Sequence, residues 1–170
     1  MSNTKLSNKE VLDQLKQHFN DAIVNADLSA DMLTVEIAPN QNLEIIKYLK
    51  EDAKLDISFL TILGGVHYPD DKDRELAVVY HLHSLPNNFR IRLKAFLPIS
   101  NPEINSIVEL YAGANWMERE TFDFYGIQFK NHPNLVRILN EDTMDYFPLR
   151  KEYHLEDATR EDKDDRFFGR

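Results

Sequence analysis

The chain has no cysteine among its 170 residues. That excludes disulfides and thiol nucleophiles, and it removes the usual protein ligands of iron–sulfur clusters and of most structural zinc sites. Glycine is scarce, at five residues, and the one adjacent pair, Gly64-Gly65, lacks the GxGxxG or GKS/T context that cradles a nucleotide phosphate. No stretch approaches the roughly 18–20 consecutive apolar residues of a membrane-spanning helix. The opening MSNTKLSNKE has no basic-then-apolar leader pattern, which predicts a chain that stays in the cytoplasm. An excess of positive charge is also missing. The formal net charge of −9 disfavours nucleic acid and direct docking on an anionic membrane, and favours a protein partner that is at least locally basic.

What is present suits one globular domain: 42% hydrophobic and 11% aromatic residues, enough for one sizeable core. Ser7 and Glu10 have capping-box spacing, and Val11, Leu12, Leu15 and Phe19 then recur at helical intervals. A short apolar stretch at Ile23-Val24 precedes Leu33, Val35 and Ile37, which alternate as in a half-buried strand until Pro39. Leu43, Ile46, Leu49 and Ala53 predict the inner face of a second helix. The apolar run from Ile57 to Leu63 reads as a buried, central strand ending in a turn at Gly64-Gly65.

Leu76, Val78, Tyr80 and Leu82, and then Ile91, Leu93, Ala95 and Leu97, predict a hairpin around SLPNNF. Its second strand sets Arg90, Arg92 and Lys94 together on the opposite face, where repulsion is relieved by solvent, the favoured reading, or by an acidic partner. Asn101-Pro102-Glu103 predicts the start of a helix carrying Ile104, Ile107, Val108 and Tyr111, interrupted at Gly113. A further helix should end at Gly126, followed by a short strand through Ile127 and Phe129. The irregular order of strands and helices predicts an α+β fold, with packed helices covering a mainly antiparallel or mixed sheet in two layers.

The chemistry-bearing residues cluster in ANWMERETFDFYGIQFKNHPNLVRIL, residues 114–139. Glu118, Glu120 and Asp123 invite an acid–base reading, but Arg119 among them favours ionised carboxylates, the opposite of what a proton-holding acid needs. Arg119 and Asp123, four apart, are placed to pair on one helix face, while Glu118 and Glu120 point to different sides. The acids and Arg119 are therefore expected to form a structural network beside Trp116, Phe122 and Phe124. His81 and His83 share one strand face with His67 nearby, but no further ligand completes a metal site. His132, before Pro133, is expected to anchor a loop.

These residues resemble a known family. The Glu118-Arg119-Glu120 triplet, Asp123, Gly126-Ile127, Phe129, His132-Pro133, Leu135, Arg137-Ile138-Leu139 and Pro148-Leu149-Arg150-Lys151 form an ordered string. That string is similar to the 30-kDa subunit of respiratory complex I, known in bacteria as the C subunit of the proton-translocating NADH:quinone oxidoreductase. The upstream segments DISFLTILGGVHYP and VVYHLHSLPNNFRIRLKAFLP share the likeness. Asn131, Val136 and Tyr146-Phe147 depart from the family pattern, where a glycine, a basic residue and Gly-His are usual.

The resemblance implies a non-catalytic peripheral-arm subunit on the cytoplasmic face of the bacterial inner membrane, without cofactor or metal of its own. FMN, iron–sulfur clusters and quinone then belong to partner subunits, and Glu118, Arg119, Glu120, Asp123, Gly126, His132, Pro133, Arg137, Pro148, Leu149, Arg150 and Lys151 are structural or interface residues. It further implies a globular domain over residues 1–146 and an extended docking tail over 147–170. A related membrane-bound hydrogenase or formate hydrogenlyase subunit and an independent acid–base enzyme are the rival readings.

Overall fold

The computed structural model describes residues 6–29 and 31–153. Helix α1, Asn8–Phe19, begins where expected: Ser7 Oγ accepts from the Glu10 N–H at 3.3 Å, and Glu10 Oε2 accepts from the Ser7 N–H at 3.1 Å. Both bonds satisfy donors that a helix start otherwise leaves open. Val11, Leu12 and Leu15 form its buried face.

Strands β1, Ile23–Asp27, and β2, Leu33–Ile37, run antiparallel. Helix α2, Asn42–Glu51, buries Asn42, Ile45, Ile46 and Leu49. Ala53, expected on its inner face, lies beyond the helix and is exposed, because the chain already leaves helical geometry at Asp52. The Asp52 carboxylate accepts from the N–H groups of Lys54 and Leu55 and so closes the turn that follows.

Three long strands complete the main sheet: β3, Phe59–His67; β4, Leu76–Ser84; and β5, Phe89–Leu97. The order is β1-β2-β5-β4-β3, with β2 and β5 parallel and every other neighbour antiparallel, a mixed sheet. Leu33, Val35, Ile37, Leu76, Val78, Tyr80, Leu82, Ile91, Leu93 and Ala95 form its buried face with α1 and α2 residues, which is the two-layer α+β arrangement expected.

Three expectations fail here. Strand β3 is an edge strand, not a central one, and it runs through Gly64-Gly65 instead of turning there. The apolar run misleads because Phe59 and Ile62 are about half exposed, so it does not mark burial on both faces. Gly65 is required by packing: a Cβ there would lie 2.5 Å from the Tyr125 ring. The predicted helix after Asn101 is instead strand β6, Glu103–Asn105, followed by turns. β6 pairs in parallel with β7, Gln128–Lys130, a nonlocal partner that local spacing cannot reveal. Ile104, Ile107 and Tyr111 are buried nonetheless, and Tyr111 Oη donates to the Ile57 carbonyl at 2.7 Å. Turns and helices share the three-to-four spacing, so the pattern was right about burial and wrong about backbone.

Helix α3, Ala114–Tyr125, packs beside β3 and ends at Gly126, whose φ of 77° is the left-handed cap expected.

Candidate functional site

Helix α3 distributes its charged side chains in three directions. Glu118 is fully buried; its Oε2 accepts from the Ser106 hydroxyl at 2.6 Å and its Oε1 from the Ile107 N–H at 2.8 Å. These bonds pin the turn after β6 to the helix. Burial pushes the Glu118 carboxyl up to about 7, against the lowering effect of both hydrogen bonds. The carbonyl of Asn105, next to Ser106, accepts from Asn42 Nδ2 at 2.8 Å, and Asn42 Nδ2 also donates to Tyr80 Oη at 3.3 Å, tying the same turn to α2 and β4. Glu120, as its spacing predicted, faces away and is exposed.

Arg119 does not pair with Asp123. Its Nε and one terminal nitrogen donate to the carbonyls of Val136 and Arg137, at 3.1 and 3.0 Å, and its guanidinium lies 5.1 Å from the centre of the exposed Trp116 ring. Asp123 has stronger competitors. Its Oδ2 accepts from the N–H groups of Ile138, Leu139 and Asn140 at 3.0, 2.8 and 3.0 Å, and its Oδ1 from Arg137 at 2.7 Å and from the Asn140 side chain at 3.0 Å. Burial by itself would raise this carboxyl; the bonds from Asn140, Leu139, Arg137 and Ile138 outweigh it and hold the group well below the usual carboxylate range. The single expected network is thus two, one around Glu118 and one around Asp123.

Arg137 extends the second network, donating also to the carbonyls of Asp123, Met144 and Tyr146. A loop of about ten residues is wrapped around one guanidinium. His132 anchors the preceding loop as expected: its Nδ1 accepts from the Asn134 N–H at 3.0 Å, which leaves Nε2–H to donate to the Asn115 carbonyl at 3.2 Å. The adjoining Pro133 is exposed. Asn131 sits at φ 65°, a left-handed conformation that glycine adopts freely and asparagine tolerates.

The segment after Tyr146 comes back onto the same helix. Phe147 lies against Gly126, where a Cβ would be 2.5 Å from its ring, and is flanked by the guanidinium groups of Arg137 and Arg150. Arg150 Nε donates to the Tyr125 carbonyl at 2.8 Å, and the Leu149 N–H to the Phe124 carbonyl at 3.2 Å. The Lys151 N–H donates to Nδ1 of the buried His67 at 2.9 Å. Pro148 is half-buried among these contacts, while the side chain of Lys151 is exposed. The part of the predicted tail from 147 to 153 therefore rests on its own domain, and residues 154–170 lie outside the described residues.

Sequence reasoning missed Ser106, Asn140, Phe147 and the role of His67. Only His67 carried a signal, as a metal candidate, and its Nδ1 proves to accept from the Lys151 N–H, with Glu152 Oε2 3.5 Å away. Among the described residues no group of three metal-binding side chains occurs, and His81 accepts from Arg92 Nε at 2.8 Å.

Residues 35–159 match the family described as respiratory-chain NADH dehydrogenase, 30 Kd subunit. The C subunit of the NADH-quinone oxidoreductase of Citrifermentans bemidjiense is 42% identical over 154 residues, which cover 91% of this chain and 94% of that protein. Its namesake in Geobacter sulfurreducens is 36% identical with the same coverage. The Streptomyces coelicolor namesake is 42% identical over 135 residues, and the match spans only 54% of that longer protein. Among solved structures, a trypsin-resistant fragment of Nqo5 is 26% identical with a TM-score of 0.64, covering 75% of this chain and 98% of the fragment. A chain of an archaeal membrane-bound sulfane sulfur reductase has a TM-score of 0.72 at 18% identity, covering 86% and 85%, and shows the fold alone. With the motif of α3 and the loop it clamps lying inside the matched span, this chain belongs to the 30 Kd subunit family of respiratory-chain NADH dehydrogenase.

Proposed function

We propose that the chain is the C subunit of a proton-translocating NADH:quinone oxidoreductase, a cofactor-free component of the peripheral arm. It supports assembly of an enzyme whose FMN, iron–sulfur clusters and quinone site belong to other subunits. It packs against the cluster- and quinone-bearing subunits, on the cytoplasmic face of the bacterial inner membrane. The absence of cysteine agrees with a chain that ligates no cluster. Among the described residues no helix is long and apolar enough to cross a membrane, which agrees with a peripheral position.

The observation that carries this reading is an inversion of polarity around α3. The charged motif residues Glu118, Asp123 and Arg137 are turned inward and bonded within the chain, while Trp116, Val136, Leu139 and Leu149 are turned outward, with Trp116 62% and Leu139 64% exposed. Exposed tryptophan beside arginine, on a backbone held rigid by buried hydrogen bonds, is the composition of a protein–protein hot spot.

Glu118 supplies the one observation for a second reading, an independent acid–base enzyme, since its carboxyl is poised at about 7. Both of its oxygens are bonded and its side chain has no exposure, so no substrate reaches it.

The test is purification of the native complex through a tag on this chain, with identification of the subunits and a NADH:quinone assay. Arg119→Ala is expected to lower the yield of assembled complex more than the turnover per assembled complex. Normal assembly with abolished turnover would refute the structural role, turnover by the isolated chain that is lost in Glu118→Gln would establish the enzyme, and hydrogenase subunits in place of NADH-oxidising ones would establish the related complex.

A further inference from the structure

The face of the main sheet opposite α1 and α2 carries its own pattern. On β5, Ile91, Leu93 and Ala95 are buried, which sends Arg90, Arg92 and Lys94 to the other side. The register places His83, His81 and Val79 of β4 beside them, and Phe59, Ile62 and Gly64 of β3 beside those. Three rows therefore cross the face: Arg90–His83–Phe59, Arg92–His81–Ile62 and Lys94–Val79–Gly64. Over two strand spacings, about 10 Å, the surface grades from cationic to apolar.

The cationic column is not neutralised by direct pairing, although Glu36 of β2 stands opposite Lys94 in the register and Asp27 lies within Coulombic reach of Lys94. Among the described residues, Arg90, Arg92 and Lys94 make no ion pair within 4.0 Å. Both acids make their direct bonds elsewhere, Glu36 with Arg74 at 2.9 Å and Asp27 with Ser29 at 2.6 Å. Three like charges on one strand face repel one another, in a chain whose net charge is −9. The apolar column is open as well, with Phe59 48% and Ile62 50% exposed, and His83 Nε2 is buried with no hydrogen-bond partner among the described residues.

We propose that this face receives an acidic, amphipathic segment of another subunit, its carboxylates over Arg90, Arg92 and Lys94 and its apolar side chains over Phe59 and Ile62. This rests on the function proposed above and adds a second interface, separate from the α3 surface. A second copy of this chain fits poorly, because its matching face would bring cations against cations or against the apolar column. Nucleic acid and anionic lipid leave the apolar column unused and meet the long-range repulsion of the whole chain.

The experiment uses the full-length tagged chain in its native complex, with Ile62 replaced by the photo-cross-linker p-benzoylphenylalanine. Irradiation is expected to join it to a net-negative segment of a different subunit. Reversing the column, R90E with R92E and K94E, is expected to lower that yield about tenfold while the purified chain keeps a single cooperative thermal unfolding transition. Joining to a second copy, joining to a basic or neutral segment, or an unchanged yield after charge reversal overturns the proposal. If the complex assembles and no cross-link forms, this inference alone falls; a wild-type chain that brings down no NADH:quinone oxidoreductase overturns the function and this inference together.

Discussion

Replacing Asp123 with asparagine isolates the charge of the hub, because shape and volume are kept. The carboxylate accepts five hydrogen bonds, three of them from consecutive backbone N–H groups and one from Arg137. An amide has one accepting oxygen. If that oxygen faces Ile138, Leu139 and Asn140, the NH2 group opposes the donors of Arg137 and the Asn140 side chain; turned round, it opposes three N–H groups. Breaking a buried charge pair by removing one partner costs about 3–5 kcal/mol. Arg137 keeps the carbonyls of Met144 and Tyr146, so the lower end, about 3 kcal/mol, applies.

With a urea dependence of about 2 kcal/mol per molar, the unfolding midpoint of the purified chain should fall by about 1.5 M at pH 7. The difference also has a pH signature. The folded carboxyl lies below its unfolded value, so its stabilisation is present above about pH 4 and is lost as pH falls towards the folded value. Wild type and variant should therefore converge in acid. A midpoint within 0.3 M of wild type at pH 7, a threshold of about 0.6 kcal/mol, would refute the hub.

The opposite sign is expected at Glu118, whose folded pKa is raised to about 7 from an ordinary 4.5. Its contribution is fully present below about pH 4.5 and lost as pH rises through 7, so Glu118→Gln should flatten the stability profile over that window by about 3 kcal/mol, measured by urea titrations at several pH values. Retention of the wild-type slope would show that another group titrates there. Gly65→Ala forces a methyl against the Tyr125 ring and should cost about 1–3 kcal/mol, with partial recovery in the double variant with Tyr125→Leu; strict additivity of the two changes in thermal unfolding would count against direct contact. Gly126→Ala meets both an unfavourable φ and the Phe147 ring, so trypsin should cut faster after Arg150 and Lys151 than in wild type, and equal rates would show that the segment is not held by this packing.

Local physics made much of this molecule legible from its residues alone. The Ser7–Glu10 cap, the alternation of β2, β4 and β5, and Gly126 as a helix stop depend on neighbours within a few positions, so sequence spacing carries them. The resemblance likewise rested on an ordered string that lies together along the chain. Tertiary structure decided what depends on distant partners. Whether the stretch after Asn101 became helix or strand was settled by β7, more than twenty residues away. Whether β3 lay at the centre or the edge was settled by sheet order, with α3 packed beside it. Helical spacing offered Asp123 an arginine one turn away, yet three backbone N–H groups and Arg137 took the carboxylate. Backbone donors are present in every sequence and marked in none, so a carboxylate they capture becomes visible only when the chain has folded back on itself.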